Sequence, residues 1–206
     1  MLLLAIEQST SCCSVALMRD GTLIGTKAWS DGIHKRQQLF TALPELLAEH
    51  GLGAKDIEHF VVGTGPGSFA GIRIAISACH GLAQPSHRPV SGIASTATLA
   101  WRELQADPDP RILVVGDARR ETFWCAAYAL DNHQLSTVLE PQLISPDTFT
   151  DQIEGACVLL SPDMDRIGDA LRAAAEGRCR LVNEKRIPDA CDLAQLANAE
   201  LALGRE

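Results

Sequence analysis

The segment with the most chemical potential in this 206-residue chain is Gly63-Thr64-Gly65-Pro66-Gly67-Ser68-Phe69-Ala70-Gly71-Ile72-Arg73. Glycines between a strand and a helix let backbone N–H groups converge at a positive helix end, where a phosphate or carboxylate can sit. Gly65, Gly67, Ser68 and Arg73 are the candidate residues of such a loop. The same spacing also describes a tight strand-to-helix turn with close packing. The segment lacks the Lys-Ser/Thr pair of a Walker loop. It has no Asp or Glu between Glu58 and Glu103 to hold a ribose, and Pro66 removes one donor. Ser68 is directly preceded by Gly67, which breaks the G-x-S-x-G spacing of a nucleophile elbow.

Other residues could act only in company. Glu7 closes the first strand, where an acid can hold a metal directly or through water. A nuclease needs several more acids converging on it, and Glu45 and Glu49 are expected to face solvent. His34 lacks the second histidine of a His-x-x-x-His metal pair, and no Cys/His cluster has zinc spacing. Asp117-Ala118-Arg119-Arg120-Glu121 reads as a charged hairpin tip, or as a polar patch facing a ligand cleft.

The elements that must position these residues follow from periodicity. Leu2–Ile6 is a fully apolar run, Cys12–Met18 a second β-type run and Thr22–Trp29 its return after the Asp20-Gly21 turn. Leu39, Leu43, Leu46 and Leu47 fall on one face of a helix over 34–50, with Phe40 beside them. A strand at Phe60–Gly63 leads through the glycine segment to a helix over Phe69–Ala83, whose apolar face holds Ile72, Ile76, Cys79 and Leu82. Small residues (Gly71, Ala75, Ala78) alongside it let another helix approach. Pro89–Ile93 is a strand and Ser95 caps a helix to Leu104. Asp107-Pro108-Asp109-Pro110 breaks the chain, which puts a domain boundary there: 1–106 and 107–206. The second half repeats the pattern with strands at Arg111–Gly116, Thr122–Leu130, Leu135–Ile144 and Ala156–Leu160. Helices follow at Met164–Ala175 and Asp189–Leu203, with a strand at Arg178–Asn183 between them. Two such units predict an α/β protein of duplicated ribonuclease-H-like lobes.

Composition narrows the functions. The net charge is −8. Residues 1–100 hold seven Lys/Arg and seven Asp/Glu, whereas residues 101–206 hold eleven and nineteen, which is the whole excess. An acidic chain with 4% aromatics offers neither a basic stripe nor a base-stacking platform for nucleic acid. No apolar run reaches the roughly 18 residues of a membrane span. Seven cysteines, an odd number with no CxxC, predict a reduced, cytoplasmic protein with no metal site.

The opening LLLAIEQSTSCCSVAL, the DG hairpin, GTGPGSFAGIRI and DARRETFW together resemble the TsaB (YeaZ) family, closely over residues 1–130 and loosely beyond. GPGSFxGxR is the most specific of these. The resemblance implies the actin/Hsp70/sugar-kinase (ASKHA) fold. It also implies a non-catalytic subunit needed to make N6-threonylcarbamoyladenosine beside the anticodon of tRNAs reading ANN codons. Such a subunit dimerises with and stabilises the TsaD-like transferase and recruits the TsaE-like ATPase. ATP and a divalent metal then belong to the partner subunits, and tRNA is met only through the complex. The partner surface is expected on the first lobe, at the helix faces of Leu39, Leu43, Leu46, Ile72 and Ile76. About half of these should instead be core, and the same surface could pair two copies when the partner is absent. The chain departs from the family's pattern at Glu7 (usually Asp), at Ala70 (commonly Thr) and in a short C-terminal part. The alternative reading is a small-molecule phosphotransferase using the glycine loop. A glycoprotease-like peptidase ranks below it for want of a nucleophile–base pair or zinc site.

Overall fold

The computed structural model describes residues 1–30, 38–108, 110–132, 134–153, 155 and 157–204. Two compact units divide the chain: Met1–Thr98 with Pro188–Glu206, and Leu99–Ile187. The expected boundary at 106/107 thus differs from the observed division on two counts. The split falls inside the helix Ser95–Ala106 (α3), and the chain's last helix returns to the first unit.

The first unit opens with a meander: β1 (Leu2–Glu7), β2 (Cys12–Arg19) and β3 (Thr22–Ser30) pair antiparallel. Asp20 and Gly21 both take positive φ (50° and 78°), the mirror-image turn whose twist matches a hairpin. Next come α1 (Leu39–Glu49), β4 (His59–Gly63), α2 (Phe69–Ala83) and β5 (Val90–Ile93), giving the sheet order β3-β2-β1-β4-β5 with β4 and β5 parallel to β1. This is the ribonuclease-H-like topology. The second unit repeats it with β6 (Arg111–Arg119), β7 (Thr122–Asp131), β8 (Gln134–Ile144), β9 (Cys157–Leu160), α4 (Met164–Ala175) and β10 (Arg180–Leu181), in the order β10-β9-β6-β7-β8. Where the first unit has α1, the second has a 3-10 turn, Phe149–Gln152.

The period-2 alternation of β1 explains why the last helix returns. Leu2, Leu4 and Ile6 point to the face covered by α1 and α2, through Leu39, Leu43, Leu46, Ala75 and Cys79. Leu3 and Ala5 point the other way with Ala16, Met18 and Val61. A strand apolar on both faces needs a second cover. It is α5 (Ala190–Ala202), through Ala190, Leu193, Ala194 and Ala197. Asp189 caps that helix by accepting the Asp192 N–H, and the Ser14 hydroxyl oxygen accepts the Ala190 N–H at 2.8 Å. All seven cysteines are free thiols, and burial pushes Cys79 up to about 12. No helix of the described residues is long and apolar enough to cross a membrane.

Leu193 is fully buried under a sheet face that only α5 residues cover in this cluster. Leu193→Ala should therefore cost about 2–5 kcal/mol, as much as Leu46→Ala in the other cluster. Chemical denaturation of both variants measures this. A cost for Leu193→Ala under about 1 kcal/mol would show that α5 is peripheral.

Candidate functional site

Two places collect the predicted residues: the end of β1 with the glycine segment, and the outer face of α1 and α2.

At the first, the glycines are required by close approach. A Cβ on Gly63 would lie 1.9 Å from Glu7 Oε2, one on Gly67 2.0 Å from the Ser9 carbonyl oxygen and one on Gly71 2.1 Å from the Gln8 carbonyl oxygen. The segment is packed against the turn after β1. Three of its donors are correspondingly committed. The Gly65 N–H goes to Ser95 Oγ (3.1 Å), the Ser68 N–H to the Ser9 carbonyl (2.6 Å) and the Gly71 N–H to Ser68 Oγ (3.2 Å). Ser68 is the N-cap of α2. The strand-to-helix turn with close packing describes what is observed, and three donors of the proposed phosphate cradle already have protein partners.

Glu7 is fully buried within this packing. Its Oε1 accepts the Ser9 N–H at 2.7 Å, and its Oε2 accepts the Ser95 hydroxyl at 2.8 Å. Ser95 was expected to cap α3; its hydroxyl instead ties Glu7 to Gly65, while its N–H donates to the Gly65 carbonyl. Burial pushes the Glu7 carboxyl above its ordinary value, with Asp189 adding to it. The Ser9 N–H and Ser95 hydroxyl pull it down but do not win. Among the described residues, no three His, Cys, Asp or Glu side chains gather as metal ligands. His34 lies outside the described residues.

Arg73, the fourth loop candidate, is elsewhere. It is exposed on α2 with its guanidinium carbon 5.1 Å from the Phe69 ring centroid. It lines a groove of about 970 Å³ between α1 and α2, walled by Phe40, Pro44, Leu47, Phe69, Ile74 and Leu82 among others. Here the interface candidates need correction. Leu39, Leu43 and Leu46 are 1%, 5% and 1% exposed and belong to the core under the first sheet. Ile76 packs partly buried against that core, and Ile72 is half-buried with its Cδ1 close to Gly65. Gly71 admits the Gln8 carbonyl and not a second helix. The exposed apolar residues are neighbours of those candidates, Phe40 at 62% and Phe69 at 74%. The signal was present: Phe40, Pro44 and Ala48 repeat every four residues, one position off the leucine stripe.

Asp117–Glu121 forms a hairpin tip in the second unit. Arg119, Arg120 and Glu121 all have positive φ (69°, 52° and 59°), and Asp117 accepts the Arg119 N–H and pairs with Arg166 at 3.3 Å.

With this geometry in hand, a family model described as "TsaD: tRNA N6-adenosine threonylcarbamoyltransferase" matches residues 32–159, more than half of the chain. The tRNA threonylcarbamoyladenosine biosynthesis protein TsaB of Escherichia coli K12 is 31% identical over 150 residues, 70% of this chain, and that of Bacillus subtilis 168 is 30% identical over 142 residues, 69% of it. The chain belongs to this family, in its TsaB (YeaZ) branch. The matched stretch spans 64% of the E. coli protein and 61% of the B. subtilis one, under two thirds of either. The solved structure of YeaZ from Pseudomonas aeruginosa superposes with a TM-score of 0.80 at 26% identity, covering 98% of this chain and 93% of that one. A 2-hydroxyisocaproyl-CoA dehydratase activator from Clostridium difficile superposes at 0.53 with 12% identity over 99% of this chain and 97% of its own, which speaks for the shared actin-like fold alone. This TsaB-family chain therefore has the two-unit α/β architecture expected of it.

The raised Glu7 carboxyl makes a pH prediction. The folded state holds this proton more tightly than the unfolded chain. Its stabilising contribution is full below the ordinary carboxyl value and is lost as pH rises through the raised one. Glu7→Gln keeps an acceptor for Ser9 and cannot ionise. Relative to wild type, its melting temperature should rise as pH is taken from about 5 to 8. An unchanging difference across that range would mean that Glu7 ionises as an exposed acid does.

Proposed function

We propose that this chain is the non-catalytic subunit of a threonylcarbamoyladenosine-forming complex, docking a TsaD-like transferase on the outer face of α1 and α2. The observation that carries the reading is the groove itself. Two phenylalanines, 62% and 74% exposed, flank an apolar trough on a chain with only five. Aromatics bury 150–250 Å² each when covered, and a contiguous apolar trough of this kind is the mark of a partner surface. The family supplies the partner's class. The matching family is that of a tRNA N6-adenosine threonylcarbamoyltransferase, and the relatives are biosynthesis proteins for threonylcarbamoyladenosine in tRNA.

In this reading the chain lends stability and shape to the transferase. ATP and the divalent metal act in the partner subunits, tRNA is held by the assembled complex, and a TsaE-like ATPase is recruited to it in the cytoplasm. The committed donors of the glycine segment favour this over the phosphotransferase alternative. The same groove would close on a second copy when the partner is missing.

Phe40→Asp and Phe69→Asp test the proposal. Both positions are exposed, so stability should change by no more than about 0.5 kcal/mol. Affinity for the TsaD-like protein, read by sizing column and calorimetry, should fall by about thirtyfold or more. Cells relying on either variant should lose the threonylcarbamoyl modification from their tRNA. Wild-type protein that forms no complex at micromolar concentrations, with or without ATP, would sink the reading.

A further inference from the structure

Among the described residues, sixteen line the groove, and of these only Arg73 is charged. Among the described residues no carboxylate pairs with it. α2 contains no Asp or Glu, and Glu45 and Glu49 of α1 are held by Lys27 at 3.3 and 2.8 Å. Arg73 instead lies over the Phe69 ring. In water this arrangement is favourable, since the ring face attracts the cation and solvent keeps its hydrogen bonds. A partner that covers Phe69 must also cover Arg73. An apolar partner surface would strip the guanidinium of water and return nothing, which is the costly way to bury a charge.

Resting on the docking proposed above, we infer that the partner's apolar contact stripe is interrupted by one carboxylate that pairs with Arg73, and that this pair fixes the orientation of docking. The guanidinium over the Phe69 ring presents a fork suited to a two-point contact with a carboxylate. The small side chains further along α2 (Ser77, Ala78 and Gly81) let the partner's backbone come near the groove floor. A carboxylate on a short side chain then reaches Arg73 without lifting the stripe away.

The experiment is calorimetry of the TsaD-like protein against wild type, Arg73→Lys, Arg73→Gln and Arg73→Glu at low and high salt, with Phe40→Asp as a reference. Arg73→Gln should weaken binding by about tenfold or more and Arg73→Glu further still. Arg73→Lys should recover only part, because a point charge lacks the fork. The salt dependence should shrink in Arg73→Gln. One Asp or Glu of the partner, changed to Arg, should restore Arg73→Glu to within about threefold of wild type. If wild type binds and Phe40→Asp abolishes binding while Arg73→Gln binds as wild type does, the carboxylate is excluded and the docking stands. If no single basic replacement among the partner's acids restores Arg73→Glu, the pairing is likewise overturned. If wild type does not bind, both fall.

Discussion

Everything at the functional end of the first unit depends on how closely the end of β1 approaches the glycine segment. Glu7, Gln8 and Ser9 occupy the space where side chains of Gly63, Gly71 and Gly67 would begin, at about 2 Å in each case. That approach sews the start of α2 to the turn after β1 through the Ser68-to-Ser9 hydrogen bond. It also buries Glu7 beside the Ser9 N–H and the Ser95 hydroxyl, and it sets the rotation of α2 about its own axis. With Gly71 and Ala75 facing inward, Phe69, Arg73 and Ser77 must face out. In open α/β sheets a ligand usually sits outside the carboxyl ends of the strands. Here, beside β1 and β4, the protein's own backbone fills the space next to the buried acid.

The two roles of α2 are therefore one arrangement seen from opposite sides. Its inner face packs its start against the turn after β1. Its outer face, rotated to solvent, supplies a wall of the groove. Pro44 at the exposed side of α1 fits the same logic. Its ring adds apolar surface to the trough on a helix whose inner leucines already hold it to the sheet.

Most of this architecture was legible in the sequence. The continuous apolar run of β1 announced a strand covered on both faces, and α2 and α4 have the bounds their periodicity predicts. What stayed hidden was which distant element supplies the second cover. Nothing local in Ala190–Ala202 says that Leu193 will meet Leu3 and Ala5, because small alanines suit any close-packed face. The glycine segment was ambiguous for a related reason. Glycine permits both a close ligand and a close backbone, and only the position of Ser9 decides between them. Leu39, Leu43 and Leu46 were drawn toward the partner surface because a stripe strong enough to be seen is, on a single-layer cover, strong enough to be core. The outward residues carry a weaker signature, two phenylalanines and a proline, legible only once the leucine stripe has been assigned to the sheet.

The charge pattern sharpens what Arg73 can do. Residues 1–100 balance seven cations against seven anions. The acids of α5 lie on the opposite face of the sheet, separated by layers each on the order of 10 Å thick. At physiological salt the screening length is about 8 Å. The α5 acids are therefore too far from the groove to steer a partner to it. Arg73, the one charged residue among the described residues lining the groove, acts at contact range, where it rejects an apolar surface lacking a matching carboxylate. Its contribution is to choose among docked orientations, with the aromatic pair supplying the adhesion.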